Sequence, residues 1–169
     1  MGGKAHGGIR SSLDIARAFG ESLTSELRGV GACSRAEVAG SIRRGLPEVG
    51  DVDLVVEPAD LEVLNQWLTA RFGSCVRQGK KPLKPKRSGL INGIQVDVLV
   101  VTPGGWGAAL MHYTGSKETN VIQRALAKSR GWMLSEKGLF DGGGYRIAGD
   151  SEEEVYNVLG LPFQAPDQR

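Results

Sequence analysis

Two Val-rich segments, Asp51-Val-Asp-Leu-Val-Val56 and Gln95-Val-Asp-Val-Leu-Val-Val101, constrain this chain more than any other feature. β-Branched and apolar residues at this density predict buried strands. The second, over 94–102 and stopped by Pro103, is the clearest strand in the sequence. Side chains on a strand alternate between faces, so Asp51 and Asp53 project from the same side. Asp97 stands among apolar neighbours, where a carboxylate is costly to bury without a partner. If the two strands are neighbours, three carboxylates converge on one spot. Carboxylates held side by side repel unless a cation lies between them, and oxygen ligands of this hardness suit Mg²⁺ or Mn²⁺. The plainer alternative is an acidic strand end with one wet face.

The residues just before the first strand sharpen the cation reading. Gly40-Ser41-Ile42-Arg43-Arg44 precedes Asp51 by six intervening residues. Glycine lets backbone approach a phosphate, serine and backbone N–H groups donate to it, and arginine binds its charge. Three converging carboxylates beside such a turn describe a two-metal site for in-line displacement at phosphorus. A second basic feature lies between the two strands. Lys80, Lys81, Lys84, Lys86 and Arg87 place five positive charges in eight residues with no acid among them. That segment is either a solvated loop or a patch that neutralises phosphates.

Composition excludes several classes. Of 169 residues, 40% are hydrophobic and 24% charged, with 21 Lys plus Arg against 19 Asp plus Glu, a formal charge of +2. That is ordinary globular usage, so disorder, collagen-like repeats and a disulfide scaffold are out. Cys33 and Cys75 stand far apart, which suits a reduced compartment. No apolar run approaches the roughly 18 residues that cross a bilayer, and the N-terminus lacks the apolar segment of a signal peptide. A cytoplasmic protein with no membrane partner is expected.

The remaining pattern is α+β. Residues 1–10 read as a flexible lead-in. Helices are expected from Ser12 to about Arg28 on Leu13, Ala16, Leu23 and Leu27, and from Asp60 through Leu61, Leu64, Leu68 and Phe72. Short strands are expected at 36–39, 75–78 and 90–91. After Pro103-Gly104-Gly105 helices dominate, at 106–112 and 117–130. Strands at 132–135 and 145–147 flank an Asp141-Gly-Gly-Gly turn, and Ser151 with Glu154 forms a capping box opening a last helix. The expected division is a mixed sheet over 11–103, then a smaller mixed unit over 104–169. Trp67, Trp106 and Trp132 read as core or hinge anchors rather than base-stacking platforms.

Gly-Ser-x-Arg-Arg, then Gly50-Asp-x-Asp53, then the later strand Asp97, resembles the signature of the nucleotidyltransferase superfamily. Downstream, His112-Tyr-Thr-Gly-Ser-Lys117 followed by Asn120 and Arg124 is similar to the Tyr-Phe-Thr-Gly-Ser…Asn…Arg segment of family X DNA polymerases. Residues 131–140, 152–161 and 166–169 resemble the end of that family's thumb, so the likeness covers about residues 11–169 in order.

The resemblance implies a palm over 11–103 and a nucleotide-binding thumb over 104–169. It implies Asp51, Asp53 and Asp97 as the catalytic triad holding two ions, Mg²⁺ or Mn²⁺. Gly40, Ser41, Arg44 and Gly50 would hold a triphosphate. Tyr113 and Gly115 would flank the sugar, and Lys117 and Asn120 would meet the incoming base. His112, Arg124 and the basic segment Lys80, Lys81, Lys84, Lys86 and Arg87 would contact DNA. The implied partners are primer–template or gapped DNA and deoxynucleoside triphosphates, and the implied state is a monomer.

Some positions depart from the family pattern. His112 and Tyr113 stand where Tyr and Phe are usual, and Gln95 stands where an Arg usually steers the third carboxylate. No helix-hairpin-helix segment precedes the palm, so lyase activity is not expected and gap preference should be weaker. Distributive, short-gap synthesis is the expectation. Two rivals stay open: transfer without a template or to another acceptor, and a catalytically silent DNA-binding module. Asn120 and Arg124, at i and i+4, could instead lie on a solvent face, and His112 and Tyr113 could be helix-end packing.

Overall fold

The structure, a computed structural model, describes residues 9–72 and 86–169. The strand expected at 75–78 and residues Lys80, Lys81 and Lys84 lie outside the described residues. The chain forms two compact units. One comprises the chain up to Val38 together with Leu46–Val100; the other comprises Ala39–Gly45 together with Val101–Arg169.

In the first unit, β1 (Ser11–Ser12) pairs antiparallel with β3 (Glu48–Val49). Helix α1 (Leu13–Gly29) starts after Ser12, with Asp14 in its first turn and Arg28 in its last, both favourable to the helix dipole. Its apolar stripe Ala16, Leu23 and Leu27 is buried as the periodicity predicts. Strand β2 (Cys33–Val38) begins earlier than expected, and β4 (Asp51–Pro58) is followed by α3 (Leu61–Phe72). Asp60 opens α3 by accepting from the backbone N–H groups of Glu62 and Val63 at 2.8 and 3.1 Å. Strands β5 (Lys86–Ile91) and β6 (Ile94–Val100) complete a four-stranded sheet of order β2-β4-β6-β5.

The central pair β4 and β6 is parallel; β2 and β5 flank it antiparallel. A parallel pair at the centre of a sheet is covered on both faces and reads as a near-continuous apolar run. Val52, Leu54, Val55, Val56, Val96, Val98 and Leu99 are accordingly buried.

The second unit contains α2 (Gly40–Arg43), α4 (Trp106–Thr114), α5 (Lys117–Ser129) and α6 (Glu152–Val158). A three-stranded antiparallel sheet, β7 (Met133–Ser135), β8 (Gly138–Phe140) and β9 (Arg146–Ala148), accompanies them. Its core gathers Ala108, Met111, Ala127, Leu139, Val155, Tyr156 and Leu159. The expected turn at Gly40-Ser41 is a short helix, and it groups with this unit rather than with the sheet whose strands flank it in sequence. Trp67 and Trp106 are buried, and Trp132 packs on the second core. Among the described residues no helix is long and apolar enough to cross a membrane.

Ser151 caps α6 by accepting from Glu154 N–H at 3.1 Å, while the Glu154 carboxylate accepts from Gly149 and Asp150 N–H, both at 2.9 Å. This cap sits hard against α4. A Cβ added at Gly107 would lie 2.1 Å from the Ser151 carbonyl carbon and 2.3 Å from its Cα. Backbone cannot move aside as a side chain can. Gly107→Ala should therefore destabilise the second unit by about 1–3 kcal/mol. Urea unfolding followed by Trp fluorescence checks this, and an unchanged midpoint would contradict the close approach.

Candidate functional site: an acidic cluster and further candidate residues

Register builds the acidic cluster. In the parallel β4–β6 ladder Asp53 stands opposite Asp97, and Asp51 opposite Gln95. Facing residues on neighbouring strands project to the same face, as do residues two apart on one strand. Each of Asp51, Asp53 and Asp97 offers a carboxylate oxygen within 4.8 Å of the others. The donor set is all oxygen and all acidic, which fits a hard divalent cation such as Mg²⁺ or Mn²⁺.

Asp97 is only 8% exposed. Burial alone would raise its pKa, but hydrogen bonds from Lys86, Ser88 and Gln95 and the Lys86 charge outweigh this and hold it below the usual carboxylate value. Gln95 Nε2 donates to Oδ1 at 2.9 Å, and Lys86 Nζ pairs with Oδ2. The cation absent at position 95 is thus supplied from the neighbouring strand. Lys86, grouped by sequence with residues meeting DNA, sits at the acidic cluster. Arg87 donates to Asn65 Oδ1 on α3 at 3.3 Å. Gly50, just before β4, has open space around it.

The other candidate residues lie in the second unit. Gly40 opens α2 with φ 61° and is buried, and Ser41 follows it half-buried. Arg44 Nη1 donates to the Thr114 carbonyl oxygen at the end of α4. Gly115 has φ 74° and ψ −152°, a conformation essentially restricted to glycine, and a Cβ there would stand 3.1 Å from Arg44 Nη1. Ser116 caps α5 by accepting from Thr119 N–H at 3.3 Å, leaving Lys117 exposed in the first turn.

Asn120 and Arg124 turn back onto α4 rather than lying on an unoccupied solvent face. Asn120 Nδ2 donates to the His112 carbonyl at 2.7 Å, and Arg124 Nη2 lies 2.9 Å from His112 Nδ1. Burial, aided by the Arg124 charge and opposed by Glu136, holds His112 below the ordinary imidazole value. The neutral ring can then accept a hydrogen bond from the guanidinium N–H. His112 also meets Tyr113 edge to face, with centroids 5.2 Å apart.

Sequence reasoning missed a buried ion network beside these residues. Arg43 donates to Glu152 Oε1 and Oε2 at 3.0 and 2.7 Å and to Thr114 Oγ1 at 2.8 Å. Arg169 Nη1 donates to Glu152 Oε1 at 2.7 Å, and its guanidinium lies over the Tyr156 ring at 5.3 Å from the centroid. No local pattern in the sequence pairs Arg43 with Glu152, 109 positions away. Arg43's partners also explain why residues 39–45 group with the second unit.

This geometry has counterparts among known proteins. A family model described as DNA polymerase beta thumb matches residues 109–169. The chain is 34% identical over 167 residues to the DNA polymerase/3'-5' exonuclease PolX of Bacillus subtilis, across 95% of this chain and 28% of that protein. It is 30% identical over 158 residues to DNA polymerase lambda of Rattus norvegicus, across 77% of this chain and again 28% of the relative. Over most of its length the chain is similar to these DNA polymerases. It spans a little over a quarter of the length of these two relatives. A crystal structure of Leishmania infantum polymerase beta, a ternary P/T complex, superposes with a TM-score of 0.79 over 97% of this chain and 78% of that one. At 23% identity that likeness shows a shared α+β fold.

The Arg43–Glu152–Arg169 network sets an acid limit on stability. Burial would raise the Glu152 pKa, but hydrogen bonds and charge from both arginines outweigh it and lower the value. A carboxylate with a depressed folded pKa contributes fully above its unfolded value and loses that contribution as pH falls through the folded one. Removing one partner of a buried pair strands the others. Glu152→Gln should cost about 3 kcal/mol at neutral pH, shrinking toward acid. Denaturant titrations at neutral and acid pH measure both, and a loss that does not vary with pH would contradict the assignment.

Proposed function

We propose that the chain is a DNA-directed DNA polymerase. It transfers deoxynucleotides from deoxynucleoside triphosphates to a primer 3′-hydroxyl on primer–template or gapped DNA and releases pyrophosphate. One observation carries the reading: the carboxylates of Asp51, Asp53 and Asp97 converge on one face of a parallel strand pair, in a chain whose relatives are named DNA polymerases. Two divalent ions bound there would stabilise charge at the reacting phosphate and lower the pKa of the primer hydroxyl.

The chain's own residues divide the remaining work. Asp51, Asp53 and Asp97 hold the ions and fix where they sit. Ser41 and Arg44 bind the triphosphate, Gly40 and Gly50 giving the backbone close approach. Arg44 now bonds to the Thr114 carbonyl, and a phosphate oxygen is a stronger acceptor than a carbonyl. Tyr113 and Gly115 border the sugar, Lys117 and Asn120 the base. Arg124 and His112, with the basic segment Lys80, Lys81, Lys84 and Arg87, face the DNA. Short-gap repair synthesis is the role that suits this set.

Primer extension tests the reading, on a one-nucleotide gap and on an open template, with each deoxynucleotide supplied singly. Template-matched addition is expected, lost in Asp53→Ala while DNA binding at low salt survives. Arg44→Ala should raise the nucleotide KM on the order of tenfold, the worth of one charge-assisted bond. Addition indifferent to the template would move the chain to terminal transfer. Salt-dependent DNA binding without turnover would make it a silent binding module, and full activity in Asp53→Ala would remove the cation centre.

A further inference from the structure

We infer that Lys86 is a positioning residue: its ammonium, reaching from β5, holds the Asp97 carboxylate in the orientation that cation binding requires. The inference rests on the reading of the acidic cluster as a cation centre. Asp97 is nearly buried on β6 between Val96 and Val98, both fully buried. A carboxyl group in that setting keeps its charge and its direction only if donors fix it.

Three donors do so. Gln95 Nε2 reaches Oδ1 along the same strand, and Lys86 Nζ reaches Oδ2 from the neighbouring one. Ser88, directly opposite Asp97 in the β5–β6 register, adds a side-chain hydrogen bond. Lys86 is two residues from Ser88 on β5, so it projects from the same face, and the antiparallel ladder fixes where its stem begins. The two oxygens are therefore held from opposite sides. Two carboxylate oxygens offer about four lone-pair sites, so three donors leave capacity for a metal.

This assignment separates Lys86 from the other cations of the 80–87 run. A phosphate-binding lysine would act on DNA affinity and its salt dependence. A lysine that aims a metal ligand would act on metal affinity and on the chemical step, leaving DNA affinity alone.

The full chain is compared with Lys86→Met, Lys86→Gln and Lys86→Arg in three measurements. Mn²⁺ binding without DNA is followed by the loss of the free-ion paramagnetic resonance signal. kcat and nucleotide KM are measured at saturating primer–template. DNA affinity is measured as a function of salt. Lys86→Met should weaken Mn²⁺ binding and lower kcat roughly 10–100-fold, the usual consequence of removing a residue that orients a metal ligand. KM and the salt slope should stay unchanged. Lys86→Arg, which keeps a cation within reach, should restore most of both losses.

Wild-type Mn²⁺ binding and kcat in Lys86→Met, with weaker DNA binding and a flatter salt slope, would overturn the inference. Should Lys86→Met fail to fold, Lys86→Gln against Lys86→Arg decides. Arginine near wild type with glutamine impaired supports the inference, and glutamine equal to wild type overturns it. If the wild-type chain adds no nucleotide, the polymerase reading falls, and the Mn²⁺ measurement still decides the role of Lys86.

Discussion

Parallel pairing of β4 with β6 is the interaction on which the rest depends, because the register that buries their apolar residues also sets Asp53 opposite Asp97. Strand side chains alternate strictly, so a slip of one residue would send Asp97 to the opposite face and bring a buried valine to the site. The apolar residues enforce the register. Val52, Val55, Val56, Val96 and Val98 are each fully buried, and burial of one such side chain contributes roughly 1.5–3 kcal/mol. Helix α1 reinforces the arrangement at Gly20, where a Cβ would stand 2.9 Å from Val38 and 3.2 Å from Val52. Hydrophobic packing thus does the positioning, and the carboxylates are carried on it.

Both units face the same problem and answer it alike. A carboxylate is buried among apolar residues, and donors that include a cation from another element hold it. In the first unit Lys86 and Gln95 hold Asp97. In the second, Arg43 and Arg169 hold Glu152. The outcome differs with the neighbours. Both Glu152 oxygens are taken by guanidinium groups, so that carboxylate is a structural anchor. Asp97 has two more carboxylates within 4.8 Å, and that uncompensated negative charge points to an added cation.

Much of this was legible in the sequence, and the limits follow from what sequence patterns encode. The α1 stripe, the Asp60 and Ser151 caps and the β6 strand are local signals carried by spacing and composition, and each is found where the pattern places it. The same-face placement of Asp51 and Asp53 needed only strand alternation. Their meeting with Asp97 was conditional, because strand adjacency is decided by tertiary packing. Strand β8, Gly-Leu-Phe at 138–140, is too short to show a period. The Lys86–Asp97 and Arg43–Glu152 pairs join residues 11 and 109 positions apart, and nothing in the neighbourhood of any of the four names its partner. Asn120 and Arg124 were recognised as a pair, yet their attachment to His112 required the α4–α5 geometry.

The proposed chemistry turns on whether Asp51, Asp53 and Asp97 form one cation centre. Anomalous diffraction from crystals grown with Mn²⁺, collected near the manganese edge, tests it most directly. A shared centre should give anomalous density within coordination distance of carboxylate oxygens from all three residues, absent from Asp97→Asn crystals grown alike. Manganese bound elsewhere, with the three carboxylates unligated, would contradict it.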